Sequence, residues 1–290
     1  MQKVLMVLSI AGLLIAGEVF AESAGEAKGT LEINGAKVPI KCAYLFQHNN
    51  EEGFLDGPEL RILLCDREVD PGVLGDLILS RLDTMAHEKK IRGVLLKLDP
   101  KKEPREVHTT LLDAPASPRE SLPFFTESGD TTCITKLDIK DGVASGILDE
   151  KPSDDNSFQD MPKYGYHIEF KAPIRTNDAI TARLKGEEAV KSPQAQAVLT
   201  YEKACREGRI EDAAKLATPE CFSQVKQAIE KMGKDVFLEQ AKQFIPDTAT
   251  REKQITEVIV RGKHAVVIMK EEGSRTPATV IETGGVWIAD

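Results

Sequence analysis

The sequence predicts two domains. Residues 29–174 read as a mostly antiparallel β domain, a sandwich or open barrel with one helix. Residues 192–290 read as an α+β domain in which helices pack on a curved antiparallel sheet. Three observations predict this. Asn34-Gly35 and Asp141-Gly142 each separate alternating apolar and polar flanks, a strong two-residue hairpin signal. From Ser192 onward the alternation gives way to helical spacing. Finally, 290 residues with 41% hydrophobic and 29% charged content suffice for two globular domains.

The helical stretch is Ser192 to Pro219. Ser192 is an N-cap and Pro193 suits the first helical position. Ala197, Val198, Tyr201, Ala204 and Cys205 recur on one helix face. Gly208 supplies a left-handed stop, and a second short helix carries Ile210, Ala213, Ala214 and Ala217.

The remaining elements follow in chain order. Thr30 to Ile40 is a hairpin whose second strand runs on to Phe46, and Gln47 to Pro58 is a polar loop. Leu60 to Cys65 is a buried strand. Asp70-Pro71 caps a helix with Leu74, Leu77, Ile78, Leu82 and Met85 on one face. Ile91 to Leu98, with a bulge at Gly93, and Val107 to Leu112 are strands. Asp113 to Asp130 and Asp149 to Pro162 are loops around the Asp141-Gly142 hairpin, and Tyr164 to Ala172 is the last strand of this half.

Residues 175–191 are charged and read as a linker. Cys221 to Met232 is a third helix of the second half, and a fourth runs from Asp235 to Pro246. Three strands finish the chain: Ile255–Val260, His264–Lys270 and Thr279–Ile288, the last bent at Gly284-Gly285.

The first 21 residues are expected to be a signal peptide. Lys3 gives the positive start, Val4 to Ala16 the apolar core, and Val19-Phe20-Ala21 the cleavage site. The run is short for a membrane anchor. Residues 22–28 read as a flexible leader. The expected address is the bacterial periplasm or the exterior, with no transmembrane segment after cleavage.

Net charge is −9, yet residues 190–290 hold 15 Lys and Arg against 15 Asp and Glu, and the first 21 residues hold one of each. The whole imbalance therefore lies between residues 22 and 189. Neither half offers the basic patch that nucleic acid requires. Five cysteines make an odd count, so at least one is free or intermolecular. Cys205 and Cys221 are the candidate disulfide, with two buried thiols as the equal alternative. Cys42 with Cys65 is the weaker candidate, leaving Cys133 over. No CxxC, HExxH, GxSxG or calcium-loop spacing is present, so no catalytic residue, metal site or cofactor is expected.

The second half, with "AVLTYEKACREGRIEDAAKL" followed by "VIVRGKHAVVIMKEEG" and Gly284-Gly285-Val286-Trp287, resembles the cone-shaped superfamily of nuclear transport factor 2 and the polyketide cyclases. The resemblance covers about 100 residues and implies a sheet curled around the first helix, with a pocket between them. Three strands are fewer than that family usually has. The first half resembles β domains of secreted bacterial proteins, a likeness that implies no activity.

On the family's pattern a mainly apolar pocket would be lined by Tyr201, Phe237 and Trp287, with His264 near its mouth. The same positions on apolar stripes suit plain core packing. Two functions remain. One is a non-catalytic binding protein, whose partner is another envelope protein or a small apolar ligand. The other is an isomerase or dehydratase of the cone family, for which no pair of titrating groups stands at a useful spacing.

Overall fold

The computed structural model describes residues 24–53, 57–75, 77, 79–102, 107–113, 125–126, 133–151, 163–271 and 273–290. The expected signal peptide, most of both long loops and the Ile78 position lie outside the described residues. The chain is mostly antiparallel β, with a curled, half-barrel sheet and several helices.

The first sheet contains β1 (Gly25–Ile33), β2 (Ala36–His48), β3 (Glu59–Cys65), β4 (Gly93–Leu98), β5 (Val107–Leu112), β6 (Phe125–Thr126), β7 (Ile134–Lys140), β8 (Val143–Glu150) and β9 (Tyr164–Thr176). Their order is β6-β5-β4-β3-β2-β1-β9-β8-β7. Both hairpin dipeptides turn as expected. Asn34, Gly35, Asp141 and Gly142 all have φ between 50° and 80°, the primed-turn geometry that matches the strand twist.

β1 starts at Gly25, so described residues that read as a flexible leader are paired strand instead. Gly25 faces Ala43, and Glu26 faces both Cys42 and Lys171. Short polar residues hid this strand because the ladder bonds through its backbone, not its side chains. Beyond Gly25, β2 and β9 close on each other and pair in parallel, Leu45 with Ile174 and Gln47 with Thr176.

Both faces of the central strands are buried. Ile62, Leu64, Val94, Leu96 and Ile168 lie in one core cluster. Leu63, Cys65, Leu95 and Leu112 lie in the other, under a 3₁₀ turn at Pro71–Leu74 and helix α1 (Ser80–His87). Burial on two faces is why Leu60–Cys65 is a continuous apolar run broken only by Arg61. Gly93 is no bulge: it pairs in register with Cys65, and a Cβ there would lie 2.2 Å from the Leu64 carbonyl oxygen.

The helix expected from Asp70 to Met85 is shorter than its periodicity implies. Asp70 does cap a turn, accepting from the Gly72 N–H. The backbone then leaves the helical region, with Leu79 at φ 56° before α1 begins. Gly72 and Gly75 disfavour a continuous helix. The Arg61 guanidinium, in addition, bonds the carbonyls of Leu74 and Leu77, groups that a longer helix would use internally.

The second sheet is a meander of β10 (Ala182–Lys185), β11 (Ile255–Arg261), β12 (His264–Glu271), β13 (Ser274–Thr283) and β14 (Val286–Ala289). It has five strands where three were expected. β10 lies in the stretch read as linker and pairs with β11, and α2 (Glu187–Lys191) follows it directly. Gly284-Gly285 does not bend one strand. It turns a hairpin between β13 and β14.

Helices α3 (Pro193–Arg206), α4 (Ile210–Lys215), α5 (Pro219–Met232) and α6 (Lys234–Phe244) match the sequence reading. The Ser192 hydroxyl accepts from Ala195 N–H, as its capping role requires. α7 (Thr248–Gln254) was missed because it has no apolar stripe. Asp247 caps it, and the buried Arg251 ties it to Glu202 on α3 and Glu271 on β12. α3 presses Ala195, Val198 and Leu199 onto Val258, Val260, Val267 and Val280 of the sheet.

Candidate functional site in the cleft between the sheets

Side chains alternate across a strand. On β11, Val258 and Val260 face α3, while Ile259 and Arg261 face the other way, toward the first sheet. There the two sheets enclose a cleft of about 460 Å³. One wall is the parallel β2–β9 segment, with Phe46, His48, Arg175 and Thr176, together with the turn at Pro71 and Arg81 of α1. The opposite wall is Ile259, Arg261, His264, Val266 and Ile281, with Asp290 at its edge. The first wall includes the segment where β2 and β9 pair directly, Phe46 with Arg175 and Gln47 with Thr176.

Its floor is a buried charged cluster. His48 is 1% exposed, Glu52 2% and Arg261 8%. The His48 Nδ1 accepts from the Asn50 N–H at 3.0 Å. In the neutral ring Nε2 then carries the proton, and it lies 3.5 Å from Glu52 Oε2. Glu52 Oε1 accepts from Arg261 Nε and Nη2 at 3.1 and 3.0 Å. Arg261 also donates to the Asp178 carbonyl and to Glu51. Glu52 Oε2 has no hydrogen-bond partner among the described residues.

The acidic Glu51-Glu52 turn thus plugs into a cluster of arginines on the second sheet. Arg183 donates to the Glu51 carbonyl and to Glu257, and Arg275 lies 3.6 Å from Glu257. At the far end of the cleft Arg81 grips the Asp290 carboxylate. Two ion-pair clamps therefore flank the cavity, Glu51-Glu52 with Arg261 and Arg81 of α1 with Asp290. The sequence reading passed over this turn as a polar loop. Its one signal was two adjacent carboxylates in a segment too short to be an acidic tail.

Burial pushes the His48 imidazole below its ordinary pKa, helped by the Arg61 charge and then opposed by Glu52 and Glu59, with Arg261 lowering it further. A depressed folded-state pKa means the unfolded chain binds the proton first. His48 thus contributes stability above about pH 6.5, lost as pH falls through its lower folded value. The expected result is a fall in urea midpoint between pH 7 and pH 5 that is shallower in His48→Gln. Parallel pH profiles for the two proteins would remove His48 from the acid response.

The four residues expected to line one apolar pocket lie in different places. Tyr201, on α3, is half-buried and packs with Leu216, Phe222, Val225 and Ile245 around Ala204, Cys205 and Ala213. Cys205, in the same cluster, and Cys221, on the first turn of α5, are the pair expected as a candidate disulfide, and both are free thiols. Burial first, and these thiols second, push the phenol well above its usual pKa. Trp287 packs against the other cluster, on the sheet face that α3 covers. Phe237 is half-buried on α6. His264 lines the cleft between the sheets, on the face opposite α3. The helix face is filled by Ala and Val pairs that fit closely, whereas the charged face opposite stands open.

No family model, curated protein or solved structure matches the chain. No helix among the described residues is long and apolar enough to cross a membrane. Among those residues no group of three or more His, Cys, Asp or Glu is placed to hold a metal ion.

Proposed function

We propose that the protein is a non-catalytic, exported binding protein that takes a small polar molecule into the cleft between its sheets. The observation that carries this reading is the cleft itself. Its volume falls in the ordinary range of ligand sites, and its walls hold charged groups of both signs, arginines and carboxylates, together with histidines. Such a lining favours a ligand with both hydrogen-bond donors and acceptors. The apolar ligand expected from the family pattern suits it less.

Export is supported by Lys3, the Val4–Ala16 run and Ala21. We read the two sheets as two domains joined at residues 177–181, since each has its own core cluster. The helices followed by the four-strand meander β11 to β14 keep the resemblance to the nuclear transport factor 2 superfamily in view. The non-catalytic reading rests on the floor: His48 and Glu52 are locked in buried partnerships, and Arg261 spends its guanidinium on Glu51, Glu52 and Asp178.

The test is thermal-shift screening of the purified full chain against amino acids, sugars, polyamines and small dicarboxylates, with native mass spectrometry of any hit. His264→Ala and Arg175→Ala, on the cleft walls, should keep the unbound melting temperature within a few degrees while the ligand shift drops at least tenfold in apparent affinity. A ligand held equally by both variants, or no shift with any class, would overturn the cleft reading.

A second reading has its own observation. Phe244 is 70% exposed and Val236 45% on α6, and α5 buries none of its residues fully. This apolar face supports contact with an envelope protein. Phe244→Asp should leave ligand binding in the cleft intact and abolish that contact.

A further inference from the structure

Among the five cysteines, Cys42 and Cys65 stand apart by their placement. They are Cα partners in the antiparallel β2–β3 ladder. Directly opposed residues in such a ladder are about 4.5 or 5.5 Å apart at Cα. Both spacings fall inside the range of about 4.4–6.8 Å that a disulfide spans. Both side chains point to the same face, packing with Leu63, Leu82 and Leu112 under α1. Cys42 is 7% exposed and Cys65 is fully buried. Cys133 lies in the cluster on the opposite face of the sheet, so it cannot reach either partner. Cys205 and Cys221 lie in the helical part of the second half, Cys205 packed with Ala204 and Ala213 and Cys221 on the first turn of α5.

We infer that Cys42 and Cys65 are an oxidation site: under oxidising conditions they join as a cross-strand disulfide that staples β2 to β3. The oxidant is a low-molecular-weight disulfide or an exchange enzyme of the same chemistry. One cysteine thiolate attacks the oxidant's sulfur and expels one small thiolate, giving a mixed disulfide. The second cysteine thiolate attacks the sulfur of the first and expels the other. One S–S bond is broken and one formed, and two electrons and two protons pass to the released thiols. The fully buried Cys65 thiol donates to the Arg67 carbonyl, and burial pushes its pKa up to about 12. The bridge therefore closes most readily while the ladder is open, during folding. Since β2 also carries His48 and leads into the Glu51-Glu52 turn, the staple anchors one wall of the cleft.

The test uses the purified full chain in two arms, both in a buffer of oxidised and reduced glutathione. One arm is refolded from urea, and the other is incubated folded. Remaining thiols are alkylated, and unreduced peptides are mapped by mass spectrometry. The expected result is a peptide pair linked through Cys42 and Cys65, lighter by two hydrogens, forming at least tenfold faster in the refolding arm. Cys133→Ser should leave the linkage unchanged, and Cys42→Ser should leave Cys65 alkylated or glutathionylated. If that variant folds poorly, the wild-type map decides without it. Alkylated Cys42 and Cys65 in both arms at the most oxidising ratio, or either residue linked to Cys133, would overturn the assignment.

Discussion

Replacing Arg261 by Ala is expected to cost about 3–5 kcal/mol of stability, because it leaves a buried carboxylate without its counter-charge. Glu52 is 2% exposed, and both protein hydrogen bonds to its Oε1 come from Arg261. Glu51 matters less. It is 45% exposed on its side chain, so solvent replaces much of what it loses. The loss should appear as a lower urea midpoint and as faster proteolysis at residues 177–181, whose Asp178 carbonyl the same guanidinium holds. Adding Glu52→Gln removes the stranded charge and should restore 1 kcal/mol or more, on the order of the coupling between contacting residues. A single-variant loss below about 1 kcal/mol, or no recovery in the double variant, would show that the clamp is not a stabilising contact.

This clamp also marks where the sequence stopped being legible. Local signals translated well. The two hairpins, the cap at Ser192 and the α3 stripe each depend on neighbours a few residues away, and each formed where its residues place it. Elements whose reason lies across the molecule did not show. β10 is four residues of mixed character, and it is a strand because β11 offers it a ladder. Gly25 begins β1 because β2 and β9 flank it.

The cleft was illegible for the same reason. Its floor joins Glu52 to Arg261, 209 positions apart, and its edge joins Arg81 to Asp290 across the same separation. No periodicity connects such pairs. His264 was singled out and does line a cavity, but on the face of the sheet opposite α3. The family pattern places a pocket on the helix side. Here that side is closed, since Ala195, Ala197 and Val198 let the helix sit flush on a valine-rich face.

The other large effect concerns Arg61, the one cation of strand β3. It is 1% exposed. Its Nε donates to Glu59 at 2.6 Å, its Nη1 to the Leu74 carbonyl at 2.7 Å, and its Nη2 to the Leu77 carbonyl at 3.5 Å. Arg61→Ala removes the cation, strands a carbonyl that α1 cannot reach, and leaves a cavity the length of the side chain. The cost is expected to be about 3–5 kcal/mol. Arg61→Met keeps most of the volume and separates the polar from the packing share. It should recover roughly half the loss, since about 0.8 kcal/mol attends each buried methylene. The polar share should be local: amide exchange at residues 71–79 should quicken in both variants, while β4 and β5 keep their protection. Unchanged exchange in that segment, with stability within about 1 kcal/mol of wild type, would mean the guanidinium does not hold the turn in place. The interrupted helix before α1 would then owe its shape to Gly72 and Gly75, with no contribution from the arginine that reaches up from β3.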